Sequence, residues 1–302
     1  MKAVFLGTGG SWPTKYRNVL SIGLQFGSEV ILFDCGEGTQ RQMMQSTLSF
    51  MRIKRIFISH FHADHFLGLP GLFQTMNLND REEDLHVYGP KGISVLVNEL
   101  THLGYFKPKY RIIAHDLEPG DVVEGEGYTV NAVEACHNVP AYGYVFQEND
   151  RPGKFNKPRA LELGIPEGPL FRKLQQGQSV EVDDKVFTPD MVLGPPRKGI
   201  KIAYSGDTAP CPSFEEAARD ADLMIHEATG DYSLKEKTDE YGHSTAKEAA
   251  ELAKRANVLK LALVHTSPRY EEPDIIIEES REVFPETIVP WDLEELEIKH
   301  RD

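Results

Sequence analysis

The segment His60-Phe61-His62-Ala63-Asp64-His65 places three histidines and an aspartate within six residues. It follows a β-branched and aromatic run at residues 55–59 that predicts a short strand. Side chains two apart in an extended chain point the same way, so His60 and His62 can converge on one metal ion. Asp64 and His65 come after a turn and can face a second ion, since imidazole and carboxylate are the usual zinc ligands. The cluster predicts a two-metal centre; the alternatives are an exposed histidine-rich loop or a single structural ion site.

Three further residues stand at the C-terminal ends of predicted strands. His137 follows residues 133–136, Asp207 lies in Ser-Gly-Asp-Thr at 205–208, and His265 follows residues 261–264. Each alone is weak evidence, because a histidine at a strand end is more often an ordinary polar residue. Together, and in this order, the three supply enough further ligands for two ions.

Predicted strands followed by helices occur twice along the chain, on either side of a stretch where glycine and proline recur. This pattern predicts an α/β fold with two sheets packed between helices. We assign residues 1–302 to one domain and residues 150–196 to an insertion with two short helices of its own. A helix is also predicted at residues 245–256, with Ser244 as its N-cap.

Composition favours a cytoplasmic globular protein. There is no run of 18 apolar residues that would predict a membrane span, and no signal-peptide pattern at the N-terminus. The three cysteines, Cys35, Cys136 and Cys211, are odd in number and scattered, which argues against a disulfide framework. Strand alternation predicts that Cys136 points away from the neighbouring His137.

Charge gives a mixed indication about partners. The formal net charge of −14 disfavours a nucleic-acid partner. Residues 151–178, however, carry six basic side chains against two acidic ones. The basic residues are Arg151, Lys154, Lys157, Arg159, Arg172 and Lys173, and the acidic ones are Glu162 and Glu167.

The ligand series as a whole resembles the motif series of the metallo-β-lactamase superfamily. The resemblance implies an αββα sandwich that binds two Zn²⁺, for which Mn²⁺, Fe²⁺ or Co²⁺ are possible substitutes. No cysteine replaces a ligand, which disfavours the antibiotic-hydrolysing branches that use one. The resemblance assigns His60, His62 and His137 to one ion, Asp64, His65 and His265 to the other, and Asp207 to a bridge between them.

Further motifs resemble the ribonuclease Z family. They are His-Glu-Ala-Thr at 226–229, His-Ser-Thr at 243–245, Pro-Thr-Lys-Tyr-Arg-Asn at 13–18 and His-Thr-Ser-Pro-Arg-Tyr at 265–270, with the insertion matching the family's protruding arm. The resemblance implies a zinc-dependent endoribonuclease that removes the 3′ trailer from precursor tRNA and leaves a 3′-OH on the tRNA. The chain length corresponds to the short form, which functions as a homodimer.

The resemblance also implies roles for particular residues. Asp64 would accept or orient the proton of the attacking water, and His243, oriented by Glu227, would protonate the leaving 3′ oxygen. Asp34 is expected to hydrogen-bond a ligand histidine, or else simply to form a turn. The expected contacts to the acceptor end are Lys15, Arg17, Asn18 and Arg269, and those to the tRNA body are Lys154, Lys157, Arg159, Arg172 and Lys173.

Two other functions are consistent with parts of the sequence. A phosphodiesterase of the same superfamily acting on small or cyclic phosphodiesters would share the metal site, but would have no use for the insertion or for residues 13–18. A non-catalytic RNA-binding protein with structural metals is disfavoured, because His243 provides an acid. Taken alone, the basic residues would more often be solvated surface than an RNA contact.

Overall fold

The computed structural model describes residues 1–301, which form two mixed β-sheets, a separate hairpin and ten α-helices. The strands are β1 (Lys2–Gly7), β2 (Ser21–Phe26), β3 (Glu29–Phe33), β4 (Ile53–Phe57), β5 (Leu85–Pro90), β6 (Ile112–Leu117), β7 (Val122–Gly125), β8 (Tyr128–Glu134), β9 (Tyr142–Glu148), β10 (Val180–Val182), β11 (Lys185–Phe187), β12 (Lys201–Tyr204), β13 (Leu223–Glu227), β14 (Leu261–Val264), β15 (Thr287–Ile288) and β16 (Glu295–Glu297). The helices are α1 (Thr39–Gln45), α2 (Ala63–Phe66), α3 (Leu69–Leu78), α4 (Ile93–Thr101), α5 (Lys157–Glu162), α6 (Pro169–Gln175), α7 (Pro212–Ala218), α8 (Lys235–Tyr241), α9 (Ala246–Arg255) and α10 (Asp274–Val283).

Each large sheet has seven strands. The first has the order β16-β1-β2-β3-β4-β5-β6, and the second has the order β15-β14-β13-β12-β9-β8-β7. Strands β3 to β6 pair in parallel, as do β12 to β15. Parallel strands bring their carboxyl ends to one edge, which is where side chains that follow such strands can meet.

The sheets pack face to face through aromatic side chains. Phe33 of β3 lies 5.4 Å from Tyr204 of β12, and Phe57 of β4 lies 5.1 Å from Tyr144 of β9, measured between ring centroids. The outer face of the first sheet is covered by α1, α3 and α4, and that of the second by α7, α9 and α10. The predicted α/β architecture with two sheets between helices is therefore confirmed.

The chain forms two compact units, one of Met1–Phe146 with Lys201–Lys299 and a second of Gln147–Ile200 with His300 and Arg301. The predicted insertion at 150–196 lies inside the second unit. Its small core contains Ile165, Phe171 and Leu174, together with Phe187 of the β10–β11 hairpin, which the sequence pattern had not indicated.

The cap of α9 differs from the expectation. Thr245, not Ser244, is the N-cap, and it forms a capping box with Glu248. Ser244 instead donates its hydroxyl hydrogen bond to the carbonyl of Thr208. Among residues 1–301, no helix has the length and apolar character needed to cross a membrane.

Candidate metal centre

The seven predicted ligands come together in two groups. Within each group the candidate ligand atoms lie within 4.8 Å of one another. The first group is His60, His62, His137 and Asp207, and the second is Asp64, His65 and His265.

Asp207 lies between the two groups. Its Oδ2 atom is 3.3 Å from Nε2 of His65, 3.3 Å from Nε2 of His265 and 3.7 Å from Nε2 of His60. One carboxylate oxygen therefore faces imidazoles of both groups. This is the position that a bridging ligand requires.

Unpaired buried atoms show that the residues suit divalent cations. Among the described residues, Nε2 of His60, Nε2 of His65 and Oδ1 of Asp207 are buried and have no hydrogen-bond partner. Leaving such an atom unsatisfied costs about 1–3 kcal/mol, so a convergent set needs a compensating group. A ligand set of five imidazoles and two carboxylates suits zinc and related transition metals.

Asp34 orients His65. Nδ1 of His65 donates to Asp34 Oδ2 at 2.8 Å, which leaves Nε2 to face the ligand cluster. The Asp34 carboxylate also accepts hydrogen bonds from the Ser59 amide at 2.6 Å, from the Ser59 hydroxyl at 2.7 Å and from the Tyr204 hydroxyl. The expected hydrogen bond between Asp34 and a predicted ligand histidine is therefore present.

Two other ligand candidates are held in the same way. Nδ1 of His137 donates to the carbonyl of Gly242 at 2.8 Å, and Nδ1 of His265 lies 3.0 Å from the Thr229 hydroxyl. In both rings Nδ1 is occupied, and Nε2 faces other residues of the ligand cluster, His62 for His137 and Asp64 for His265. Anchored imidazoles of this kind lose little conformational freedom when they bind an ion.

The electrostatics keep Asp64 ionised. Burial opposes its charge, but the hydrogen bond from His265 and the nearby His65 more than offset this, and the pKa of Asp64 lies well below its ordinary range. Burial, together with the charge of His65, holds the pKa of His60 well below its usual value. An ionised Asp64 and a neutral His60 are the forms that bind metal ions.

His243, which is partly exposed, and the buried Glu227 form a hydrogen-bonded pair beside Asp207. Nδ1 of His243 donates to Glu227 Oε1 at 2.8 Å, and the same nitrogen is 3.9 Å from Asp207 Oδ2. Burial opposes the imidazolium charge, but the Glu227 carboxylate outweighs it and raises the pKa of His243 to about 9. The carboxylate is itself held by the amides of Thr208 and Thr229. The Glu227 carboxylate therefore orients the imidazole and favours its protonated form.

The loop at residues 13–18 departs from the expectation at two positions. Lys15 is exposed, as a substrate contact must be, but Arg17 is 4% exposed. Its guanidinium donates to the Thr8 hydroxyl and the Pro290 carbonyl and lies 4.1 Å from the Trp291 ring. The head group of Arg17 is therefore enclosed by the protein in this structure, and its contact with substrate stays a prediction.

Asn18 has a similar structural role, since its side-chain amide donates to the Glu37 carbonyl. Arg269, by contrast, is exposed and lies in the loop after His265. Two exposed aromatic residues of the loop that contains Lys15, Trp12 at 62% and Tyr16 at 52%, were missed at the level of sequence. Exposed aromatic rings suit stacking with unpaired bases, and an aromatic residue on each side of Pro13 to Lys15 was the available signal.

The predicted arm cations are all exposed, but they are not equivalent. Lys157 pairs with Glu167 and Arg159 pairs with Glu162. Within residues 1–301, no ion-pair partner is found for three others, Lys154, Arg172 and Lys173. These three are the arm residues best able to meet phosphates.

The expectation that the three cysteines argue against a disulfide was also wrong. Cys136 and Cys211 form a disulfide, with their Cα atoms 5.5 Å apart, and Cys35 is free and buried. The contact arises because the amide of Ala209 donates to the Cys136 carbonyl, which aligns the two segments. Sequence spacing could not show this, since the partners are 75 residues apart.

The fold and the ligand cluster define a protein of the metallo-β-lactamase fold with a candidate metal centre. A metallo-β-lactamase fold protein of Bacillus subtilis shares the fold, with a TM-score of 0.70 at 18% identity over 98% of each chain. The short form of human tRNase Z has a TM-score of 0.72 at 28% identity, covering 99% of this chain and 100% of that one. Residues 1–104 match the family described as anti-Pycsar protein Apyc1.

Full-length relatives show the particular family. Ribonuclease Z of Methanosarcina acetivorans is 51% identical, covering 100% of this chain and 99% of that protein. Ribonuclease Z of Methanothermobacter thermautotrophicus is 46% identical, covering 100% and 98%. This chain belongs to the ribonuclease Z family, and it is an enzyme, a hydrolase of the endoribonuclease class.

Proposed function

We propose that this protein is a metal-dependent endoribonuclease that removes the 3′ trailer from precursor tRNA and leaves a 3′-OH on the tRNA. The observation that carries the proposal is the His243–Glu227 pair beside the ligand cluster. A ribose alkoxide is a poor leaving group, so a nuclease of this kind needs a positioned acid. The ribonuclease Z relatives, which match over the full length, support the same reaction.

The metal ions we propose are two Zn²⁺, one held by His60, His62 and His137 and the other by Asp64, His65 and His265, with Asp207 bridging. Two such ions, when bound, neutralise charge on the phosphate and lower the pKa of water to about 7. The unpaired buried nitrogens and the shared carboxylate oxygen support this assignment. Mn²⁺, Fe²⁺ and Co²⁺ remain chemically suitable substitutes.

Asp64 is the proposed proton acceptor for the attacking water. Its Oδ2 accepts a hydrogen bond from the Ser11 amide at 2.6 Å and lies 3.3 Å from Nε2 of His265. These contacts fix the carboxylate, and its lowered pKa keeps it ionised.

His243 is the proposed proton donor to the leaving 3′ oxygen. With a pKa of about 9 it carries a proton at neutral pH. Glu227 holds Nδ1, so the proton that can be transferred is the one on Nε2. After transfer, the Glu227 carboxylate favours reprotonation of the ring from solvent.

RNA recognition is proposed to use charge and stacking. Lys15 and Arg269 would meet phosphates near the cut, and Lys154, Arg172 and Lys173 would meet phosphates of the tRNA body. Each phosphate neutralised releases counterions, so binding should depend strongly on salt. Shape should matter more than base sequence, because the major groove of A-form RNA is closed to side chains.

One comparison tests the proposal against its rival, a phosphodiesterase for small or cyclic diesters. Purified enzyme is given a precursor tRNA with a 3′ trailer, the same tRNA without the trailer, and a chromogenic diester. We expect cleavage of the precursor at the trailer junction, with a 3′-OH and a 5′-phosphate at the new ends. Turnover of the chromogenic diester without cleavage of the precursor would favour the rival.

We also propose a homodimer, as the resemblance to the short form implies. The chain mass is 34.0 kDa. Light scattering during gel filtration should therefore show a species of about twice that mass, and a monomer at micromolar concentration would contradict the proposal.

A further inference from the structure

The backbone at residues 9–11 forms one wall of the metal centre. The Ser11 amide donates to Asp64 Oδ2 at 2.6 Å, and the Gly10 amide donates to the Thr266 carbonyl at 3.1 Å. A Cβ atom added at Gly10 would lie 2.5 Å from the His265 ring. Ser11 has a φ of 67°, which non-glycine residues rarely adopt. A backbone segment that lies this close to the His265 ring and holds Ser11 at a positive φ must be fixed by further contacts, which we call its anchor.

The anchor is a carboxylate near the end of the chain. Oδ1 of Asp292 accepts hydrogen bonds from the Thr8 amide at 3.0 Å and the Thr8 hydroxyl at 2.8 Å. Oδ2 accepts from the Asn18 amide at 2.6 Å and from the Gln42 side chain at 2.9 Å. Thr8 and Asn18 flank the loop at residues 9–17, so one side chain ties its two ends together.

Arg17 strengthens the same connection. It donates to the Thr8 hydroxyl at 2.5 Å and to the Pro290 carbonyl at 2.9 Å, and it stacks on Trp291. The loop is thus attached at its base to the segment Pro290, Trp291 and Asp292, which we call the C-terminal anchor. No residue of this anchor lies in the ligand cluster, so its contribution must pass through the loop.

We propose that Asp292 is a positioning residue, which orients the Ser11 amide towards Asp64 and holds Lys15 in place by closing the loop at residues 9–17. It contacts neither substrate nor metal. The inference rests on the proposed function only in its assignment of Asp64 as the proton acceptor. The structural part, closure of the loop, stands on the hydrogen bonds alone.

Two variants of Asp292 and one control test the proposal. Asp292→Asn keeps one acceptor oxygen of two, and Asp292→Ala keeps none. Glu297→Gln is the matched control, since this carboxylate is exposed, lies on the same C-terminal segment and pairs only with Lys299 among the described residues. Hydrogen exchange is measured on metal-free protein, and turnover of a chromogenic diester is measured on the metal-loaded enzyme.

We expect faster exchange at residues 8–18 in both Asp292 variants, with unchanged exchange in β4 and β14. A shift of Asp64 of about 1 Å should lower kcat for the small diester by about 10-fold to 100-fold. KM and metal content should stay near wild type, the alanine variant should be the more affected, and Glu297→Gln should match wild type.

Unchanged exchange at residues 8–18 would overturn the proposal, as would equal loss of protection in β4, which would indicate a general structural defect. A wild-type enzyme that cleaves the diester but not precursor tRNA would contradict the proposed function. It would leave the exchange result valid, so the two failures are distinguishable.

Discussion

His243→Ala should slow cleavage of precursor tRNA far more than cleavage of a diester with a good leaving group. In the wild type, the Glu227 carboxylate raises the pKa of His243 to about 9, so the protonated imidazole is the predominant form at pH 7.5. Removing the acid should forfeit nearly the whole contribution of general acid catalysis, about 10²–10⁴-fold in kcat.

The leaving group makes the prediction specific to an acid. The ribose alkoxide is strongly basic and must be protonated as it departs, whereas p-nitrophenolate departs without a proton. The assay therefore compares kcat on a precursor tRNA with kcat on bis(p-nitrophenyl) phosphate for wild type and variant. His102→Ala is the control, because this exposed histidine, among residues 1–301, hydrogen-bonds only to the end of its own helix.

We expect His243→Ala to keep most of its activity on the nitrophenyl diester, and imidazole added to the buffer should partly restore cleavage of the precursor. A loss of the same size on both substrates would refute the reasoning. It would mean that His243 acts on the site as a whole and not on the leaving oxygen.

The remaining predictions concern charge and metal. Glu227→Gln removes the carboxylate that raises the pKa of His243 above 6.5. The alkaline limb of the pH profile of kcat should therefore move down from about pH 9, with a loss of about tenfold in kcat at pH 7.5. A limb that does not move would show that it does not report the titration of His243. Replacing Lys154, Arg172 and Lys173 together by alanine should lower the salt slope of precursor binding by about 2–3, and an unchanged slope measured by filter binding would place these cations outside the interface. Chelation should abolish activity and lower Tm, because buried ligand atoms lose their partner, and a Tm indifferent to metal would contradict the metal assignment.

The metal-ligand candidates could be predicted from the sequence because the pattern is local. Four of them lie within six residues, and His137, Asp207 and His265 each follow a strand that its own composition indicates. The pairing of the strands in the sheet is then enough to bring these strand ends together. The loop at residues 13–18 is different, since Arg17 looked like a surface cation.

The burial of Arg17 depends on residues that are distant in sequence. Its partners Pro290 and Trp291 lie more than 270 positions away, and no local pattern connects them. The same holds for Asp292, whose partners Thr8 and Asn18 also lie more than 270 positions away. Long-range pairing of single residues leaves no periodic signal in one sequence, so only the folded chain shows it.

The structure also bears on whether His243 is an acid or an eighth ligand. Asp207, His243 and His265 form a third group of candidate ligand atoms, so a ligand role has to be considered. That group shares two of its three members with the other groups, and seven ligands already suffice for two ions. Moreover, the His243 nitrogen that lies 3.9 Å from Asp207 Oδ2 is Nδ1, and this atom already donates a hydrogen bond to Glu227 Oε1 at 2.8 Å. His243→Ala should therefore retain as much zinc per chain as the wild type, measured on purified protein, and loss of one ion would make His243 a ligand.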